Sequence, residues 1–366
     1  MLVAGAGGEG DGRRPLLPPY AARSRWRPIL SARAILPALL ALALGPSLAG
    51  SPAAGLAAEP RLVLRYAHPN EPESLAGRQA EYFASEVAAR TKGAVAVEVY
   101  PSSRLGTLEE QVRLAAEGRV AFTHQTAATI GSLHGDLAVL DLPYAYRDVA
   151  HLLRVTDPSS PLMRKLGEGL VRTRGLRILS SFYFGTRQLT CDRPVRRPED
   201  LAGLLVRAIP FPVYEAAVEG LGARPVPLEW SRTPTALAAG SVNGQENPVN
   251  TILASRLYEH QGYLMLTGHI MASSLLVVNE AVWQGLPKAE REALAAAARA
   301  AGERATRECL ASEASDLEAL KAKGMKVIGP AEGLDREAFA ARARELVRER
   351  FGERWKTYIT MIEAER

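Results

Sequence analysis

Two arginines stand where an arginine is expensive. Arg207 ends the run Leu204-Leu205-Val206-Arg207, an otherwise apolar strand pattern, and Arg187 lies in Gly185-Thr186-Arg187-Gln188-Leu189-Thr190. A guanidinium cannot shed its charge, so burying one requires either an internal carboxylate or an anionic ligand. For Arg207 both readings stay open at this point; two arginines flanking one apolar strand pair weigh toward an anion. A second rich stretch runs from Trp230-Ser231 to Val242-Asn243-Gly244-Gln245-Glu246-Asn247-Pro248. Its Asn247 offers an amide donor without charge. Of Gln245 and Glu246, at least one is expected to face solvent or cap a helix. Trp230 reads first as a packing residue. Phe182 and Tyr183 either line a cleft wall or alternate in and out of a strand.

Catalytic signatures are missing. There is no GxGxxG after the first strand, no GxxxxGK[ST], HExxH, paired CxxC or GxSxG. The six histidines, among them His68, His124 and His269, lack metal-ligand spacing. No catalytic residue, metal or cofactor is therefore assigned. The expectation is binding, with an exported enzyme acting on a small carboxylate as the alternative.

Charge narrows the partners. The chain of 366 residues carries a formal +5, but six arginines against Glu9 and Asp11 put +4 of it in residues 1–58. That leaves 39 basic and 38 acidic residues in the body, which gives no support for a nucleic-acid face. The first 58 residues read as an export signal: arginines, the eleven-residue apolar run Ala34–Leu44, then small residues to Ala57 and Ala58. The run is well short of the ~20 residues of a spanning helix. The expected product is a periplasmic protein cleaved near Ala57 or Ala58. Cys191 and Cys309 read as two buried thiols rather than a disulfide scaffold.

The elements that must hold the arginines follow from periodicity. Arg61–Ala67 alternates as a strand; Ser74 opens a helix with Ala76, Ala80, Phe83 and Val87 on one face; Val95, Val97 and Val99 form the next strand. A helix over 107–117 and a strand over 120–123 complete a β-α-β-α-β order. Strands over 176–179 and 188–190, a short helix over 198–201, a strand over 204–207, a helix over 213–221 and extended chain over 224–227 come next. A strand over 275–278 precedes a helix over 288–323, with Leu294, Leu310, Leu317 and Leu320 on or near one stripe. A late strand over 325–328 and a helix over 336–350 close the chain. Alternating strands and helices predict an α/β fold with helices on the faces of a sheet. A helix beyond 25 residues is expected to brace two lobes.

The order of several segments resembles the substrate-binding subunit of tripartite ATP-independent periplasmic (TRAP) transporters, of the DctP type. The segments are Arg61–His68, Glu98-Val99-Tyr100-Pro101, Leu142-Pro143-Tyr144, Arg187, Pro198–Pro210, Gln245–Pro248 and Thr267-Gly268-His269, and the resemblance covers about Arg61 to Trp355. It implies a two-lobed periplasmic-binding-protein clam-shell with a hinge and a long helix spanning both lobes. By analogy lobe one comprises 59–184 plus 273–312, and lobe two 185–272 plus 313–366. It also implies a small organic acid as ligand and transporter membrane subunits as partners, with the protein itself a monomer. Arg207 would hold the ligand carboxylate with both prongs, Arg187 and Asn247 adding contacts. Asn70, Glu71, Thr126 and Thr129 would face them from lobe one, with Tyr183 and Trp230 on the walls. Arg232, Asn243 and Cys191 depart from the family pattern, which leaves the acid unidentified.

Overall fold

Residues 60–365 are described by a computed structural model, and the leader read at 1–58 lies outside the described residues. The first half of the chain follows the periodicity: β1 (Leu62–Ala67), α1 (Leu75–Arg90), β2 (Val95–Tyr100), α2 (Leu108–Ala116), β3 (Phe122–Thr126), then α3 (Ala127–Ile130), α4 (Val149–Thr156) and α5 (Pro161–Arg174). Side-chain caps start these helices where the sequence offers them. Ser74 accepts from the Gly77 amide, and Thr107 forms a capping box with Glu110. The rest comprises β4 (Leu176–Cys191), β5 (Leu205–Ala208), α6 (Pro212–Leu221), β6 (Arg224–Pro227), α7 (Thr233–Ala238), β7 (Gly244–Pro248), α8 (Val249–Ala254), β8 (Tyr263–Asn279), α9 (Glu280–Gly285), α10 (Lys288–Ala322), β9 (Lys326–Ile328) and α11 (Arg336–Ala364).

All nine strands join one mixed sheet in the order β2-β1-β3-β8-β4-β7-β5-β6, with β9 on β8. β1 pairs in parallel with β2 and β3, and β5 does so with β6 and β7. Between these parallel flanks run the long antiparallel partners β4 and β8. The expectation of separate strands over 176–179 and 188–190 is corrected here: β4 is continuous, and β8 extends far upstream of 275. Their pairing slips between Ile178 and Ser180, Tyr183 and Gly185, and Arg187 and Leu189. Such bulges break the two-residue alternation and so hide a long strand from a periodicity reading.

Each flank has a local core, and a larger cluster running from Ala67 and Leu140 to Tyr214 and Ala217 joins them. Tyr66, Phe83, Phe122 and Val278 pack with Leu294 and Ala301 on one side; Leu189, Val206, Val218 and Phe339 pack on the other. The helix α10, about 52 Å long at 1.5 Å per residue, runs from the first core to Leu320, which packs with Ile252 and Leu264 beyond β4. Small residues let it cross β4 closely: a Cβ on Gly302 would lie 2.8 Å from the Ser181 carbonyl oxygen. Leu310 is exposed rather than part of the stripe, because sixteen residues at 100° each turn it about 160° from Leu294. The helix α11 continues past residue 350 and also bridges. Phe339 packs near β5, and the Ile362 carbonyl accepts from His151 Nε2 at 2.8 Å. Cys191 and Cys309 are free and buried.

At the bend of β4, α10 grips the strand. Thr306 Oγ1 accepts from the Tyr183 amide at 3.1 Å, and Glu313 Oε1 accepts from the Thr186 amide at 3.3 Å. Between them Gly185 has φ +123°, and a Cβ there would meet Pro248 Cβ at 2.6 Å. Only glycine allows β4 to turn and still pair with β7. Gly185→Ala should therefore lower unfolding free energy by about 1–3 kcal/mol or more, read from urea unfolding; an unchanged midpoint would show that the bend does not need glycine.

Candidate functional site

Alternation along β5 turns Val206 and Ala208 into the core and Arg207 to the opposite face. Arg207 is 1% exposed. Its Nε donates to the Leu228 carbonyl at 2.8 Å. Nη1 and Nη2 are buried and have no hydrogen-bond partner among the described residues. The Trp230 ring centroid lies 5.8 Å from its Cζ. Burial pushes the guanidinium pKa down to about 10, with Glu246 opposing and Arg187 adding to that shift. An internal carboxylate bridge for Arg207 is thus absent among the described residues.

That bridge belongs to Arg187 instead. On β4 it lies opposite Pro248 of β7, and its Nε and Nη2 both donate to the Glu246 carboxylate, Nη2 to Oε1 at 2.8 Å. The same Nη2 donates to the Glu246 carbonyl at 2.7 Å and to Asn247 Oδ1 at 3.1 Å. His269 Nε2 lies 3.0 Å from Glu246 Oε2. Burial opposes ionisation of Glu246, but Arg187 and His269 outweigh it and hold its pKa at about 2. Gln245 and Glu246 are both fully buried, which corrects the expectation that one faces solvent. Each has a buried partner: Gln245 Nε2 donates to Thr190 Oγ1 at 2.9 Å and Gln245 Oε1 accepts from Asn247 Nδ2 at 2.6 Å.

The opposite wall comes from the strand ends of the other flank. Asn70 follows β1, and Thr126 ends β3 and caps α3, its Oγ1 lying 2.9 Å from Thr129 Oγ1. Asp141 Oδ2 accepts from the Ala128 amide at 2.7 Å and fixes α3 from behind; burial raises this carboxyl to about 6. His124 is the group a sequence reading missed. Its Nδ1 lies 2.6 Å from Tyr66 Oη, its Nε2 lies 3.0 Å from Asn70 Oδ1, and its ring stacks on His68 with centroids 4.7 Å apart. Burial, with His68 alongside, holds its pKa well below 6.5, so it is neutral near pH 7. Tyr66 and Asn70 thus hold both ring nitrogens of a neutral imidazole.

Asn70, Thr126, Thr129, Arg187, Arg207, Trp230 and Asn247 all line one cavity of about 50 Å³. Tyr183 and Glu71 do not. The Tyr183 hydroxyl turns to Thr186 Oγ1 at 2.7 Å and to Glu313 under α10, because an α10 contact holds that stretch of β4. Glu71 lies in the turn before α1, its carbonyl accepting from the Ser74 amide and hydroxyl.

The sequence profile of the DctP family, described as bacterial extracellular solute-binding protein, family 7, matches residues 66–354. The chain belongs to this family. It is similar to a solute-binding protein of Verminephrobacter eiseniae, 33% identical over 71% of this chain and 76% of that one. It is likewise similar to the 2,3-diketo-L-gulonate-binding periplasmic protein YiaO of Escherichia coli, 29% identical over 72% and 78%. A crystal structure of a TRAP periplasmic solute-binding protein from Roseobacter denitrificans, with bound L-galactonate, superposes with a TM-score of 0.78 at 28% identity. The match covers 84% of this chain and all of that one. The DctP-family fold is thus the two-lobed one its resemblance implied, and the family is one of transport binding proteins, not enzymes. Among the described residues no helix is long and apolar enough to cross a membrane.

The pairing of Arg187 with Glu246 has an acid signature. A carboxylate depressed from 4.5 to about 2 contributes stability that is complete above the unfolded value and lost as pH falls through about 2. Glu246→Gln should cost roughly 3–5 kcal/mol near neutrality, as removal of one partner of a buried pair does. Its unfolding free energy should also fall less steeply between pH 5 and pH 2.5. Parallel acid profiles for the two proteins would contradict the assignment.

Proposed function

We propose that this chain captures a small organic acid in the periplasm by its carboxylate and delivers it to the membrane subunits of a TRAP transporter. The observation that carries the proposal is the fork of Arg207: two buried nitrogens with four N–H bonds and no acceptor among the described residues. A carboxylate matches that fork in plane and spacing, so both oxygens can accept at once. Arg187, held by Glu246, and Asn247 flank the same point without adding net charge. Trp230 forms a wall beside the guanidinium, and Asn70, Thr126 and Thr129 face it from the other side. Two relatives take carboxylates, 2,3-diketo-L-gulonate and L-galactonate, which supports the reading.

The protein works as a monomer in this account. Its moving bodies are 59–184 with 273–312 and 185–272 with 313–366, joined through β4, β8 and the two long helices. Arg207 is too buried for a ligand to reach without separation of these bodies, so binding requires a hinge. Export by the 1–58 leader places the protein on the side of the membrane where the acid is met.

Arg207→Ala should weaken binding by about thirtyfold to a few thousandfold, from roughly 2–5 kcal/mol for a truncated buried charge pair at about 1.4 kcal/mol per tenfold. Arg207→Lys keeps the charge but loses the fork, and it should bind poorly too. Because the guanidinium is buried without a partner in the ligand-free protein, Arg207→Ala should melt no lower than wild type before ligand is added, whereas Arg187→Ala should melt lower. Calorimetric titration beside thermal melting separates these effects. Near-native affinity in a folded Arg207→Ala protein would overturn the clamp.

A further inference from the structure

The two walls of the cavity differ in charge, and the difference selects among organic acids. On the β4, β5 and β7 side are two guanidinium groups and one carboxylate: Glu246 compensates Arg187, and Arg207 is left as the single uncompensated charge. The facing wall holds the polar residues Asn70, His124, Gln125, Thr126, Thr129 and Ser274 beside Pro69 and Leu108. Its one titratable side chain is His124, buried against His68 and committed to Tyr66 and Asn70. No lysine or arginine lines that wall. The nearest added charge has the opposite sign: Glu229, one residue before Trp230, accepts from the Leu108 amide at 3.3 Å with Oε2, bridging the two sides. The titratable groups acting on Arg207 are Glu246, Arg187, Glu229 and Tyr214, and the one cation among these four, Arg187, is already committed to Glu246.

We propose that the ligand is a monocarboxylate with a neutral, hydroxyl-bearing remainder, its carboxylate on Arg207 and its hydroxyls on the Asn70–Thr129 wall, and that dicarboxylates are rejected. The inference rests on the Arg207 clamp and goes beyond it. A second carboxylate would lose its hydration against amides, hydroxyls and a neutral imidazole, with no counter-charge. Hydroxyls suit that wall because its amide and hydroxyl groups both donate and accept. An acid without hydroxyls would offer no partner to the Asn70 amide atom that His124 leaves unengaged, which is how a polar site disfavours an apolar analogue.

The test is calorimetric titration of the purified protein at pH 7.5 with L-galactonate, D-gluconate, D-glucuronate, galactarate, succinate and hexanoate. Galactarate differs from L-galactonate only in carrying a carboxylate in place of the terminal hydroxymethyl group. The expected result is that the best hydroxy monoacid binds at least about a hundredfold tighter than galactarate, about 2.8 kcal/mol at 1.4 kcal/mol per tenfold. Succinate and hexanoate should be weaker still than that monoacid. Galactarate or succinate binding as tightly as the best monoacid would overturn the proposal; if that binding were lost in Arg207→Ala, the clamp would survive and only the charge count would fall. Hexanoate binding as tightly as the hydroxy acids would overturn the role of the polar wall. Binding of none of the six acids would overturn both the proposal and the carboxylate reading beneath it.

Discussion

A positive charge that cannot be neutralised, buried without a partner, is the constraint on which the rest of this structure depends. Arg207 is 1% exposed and its two terminal nitrogens meet no acceptor among the described residues. Left to itself the folded chain would relax by turning the side chain to water or by drawing in a carboxylate. It does neither, because β5 lies between β6 and β7, Nε is tied to Leu228, and Trp230 closes over the ring plane. The nearest carboxylate, Glu246, is already committed. The energetic cost is carried by the packed sheet around it; in the proposed function it is recovered when an anion arrives, and the charge then acts on ligand binding rather than on folding.

The Arg187–Glu246–His269 cluster is the counterpart of that constraint. It is a fully paired buried ion network at the point where β4 meets β7, and its job in the structure is to set positions. It fixes Asn247 through Nη2 of Arg187, two residues after the β4 bend at Gly185. It also engages the carboxylate of Glu246, which would otherwise be free to pair with Arg207. Thus two arginines that look equivalent in the sequence have opposite roles, one structural in its charge and one free. On the other flank, the chain Tyr66–His124–Asn70 does a similar positioning task without charge.

Much of this was legible in the sequence, and the parts that were not have physical reasons. β1, α1, β2, α2, β5, α6 and α10 follow plain periodicity, so their places were readable. β4 and β8 were readable only in pieces, because bulges near Ile178, Gly185 and Gln188 shift the alternation. β7 is Gly-Gln-Glu-Asn-Pro, with no apolar residue to mark a strand; its polar side chains are buried by pairing with β4. Arg207, Asn247 and the threonines were identifiable by residue type and order. The partner of Arg187 was not, since Glu246 comes beside it only through the antiparallel register of two strands. His124 was passed over because a lone histidine carries no spacing signal; what gives it meaning is Asn70, more than fifty residues earlier.

The central claim is that one ligand carboxylate and the Arg207 fork recognise each other. A double-mutant cycle across the interface tests it most directly: calorimetric affinities of wild type and Arg207→Ala for the tightest hydroxy monoacid and for its primary amide, which keeps the shape and removes the charge. The account predicts strong coupling, with the amide weak on wild type and the alanine substitution changing its affinity little further. Additive losses, in which Arg207→Ala weakens the amide as much as it weakens the acid, would contradict it.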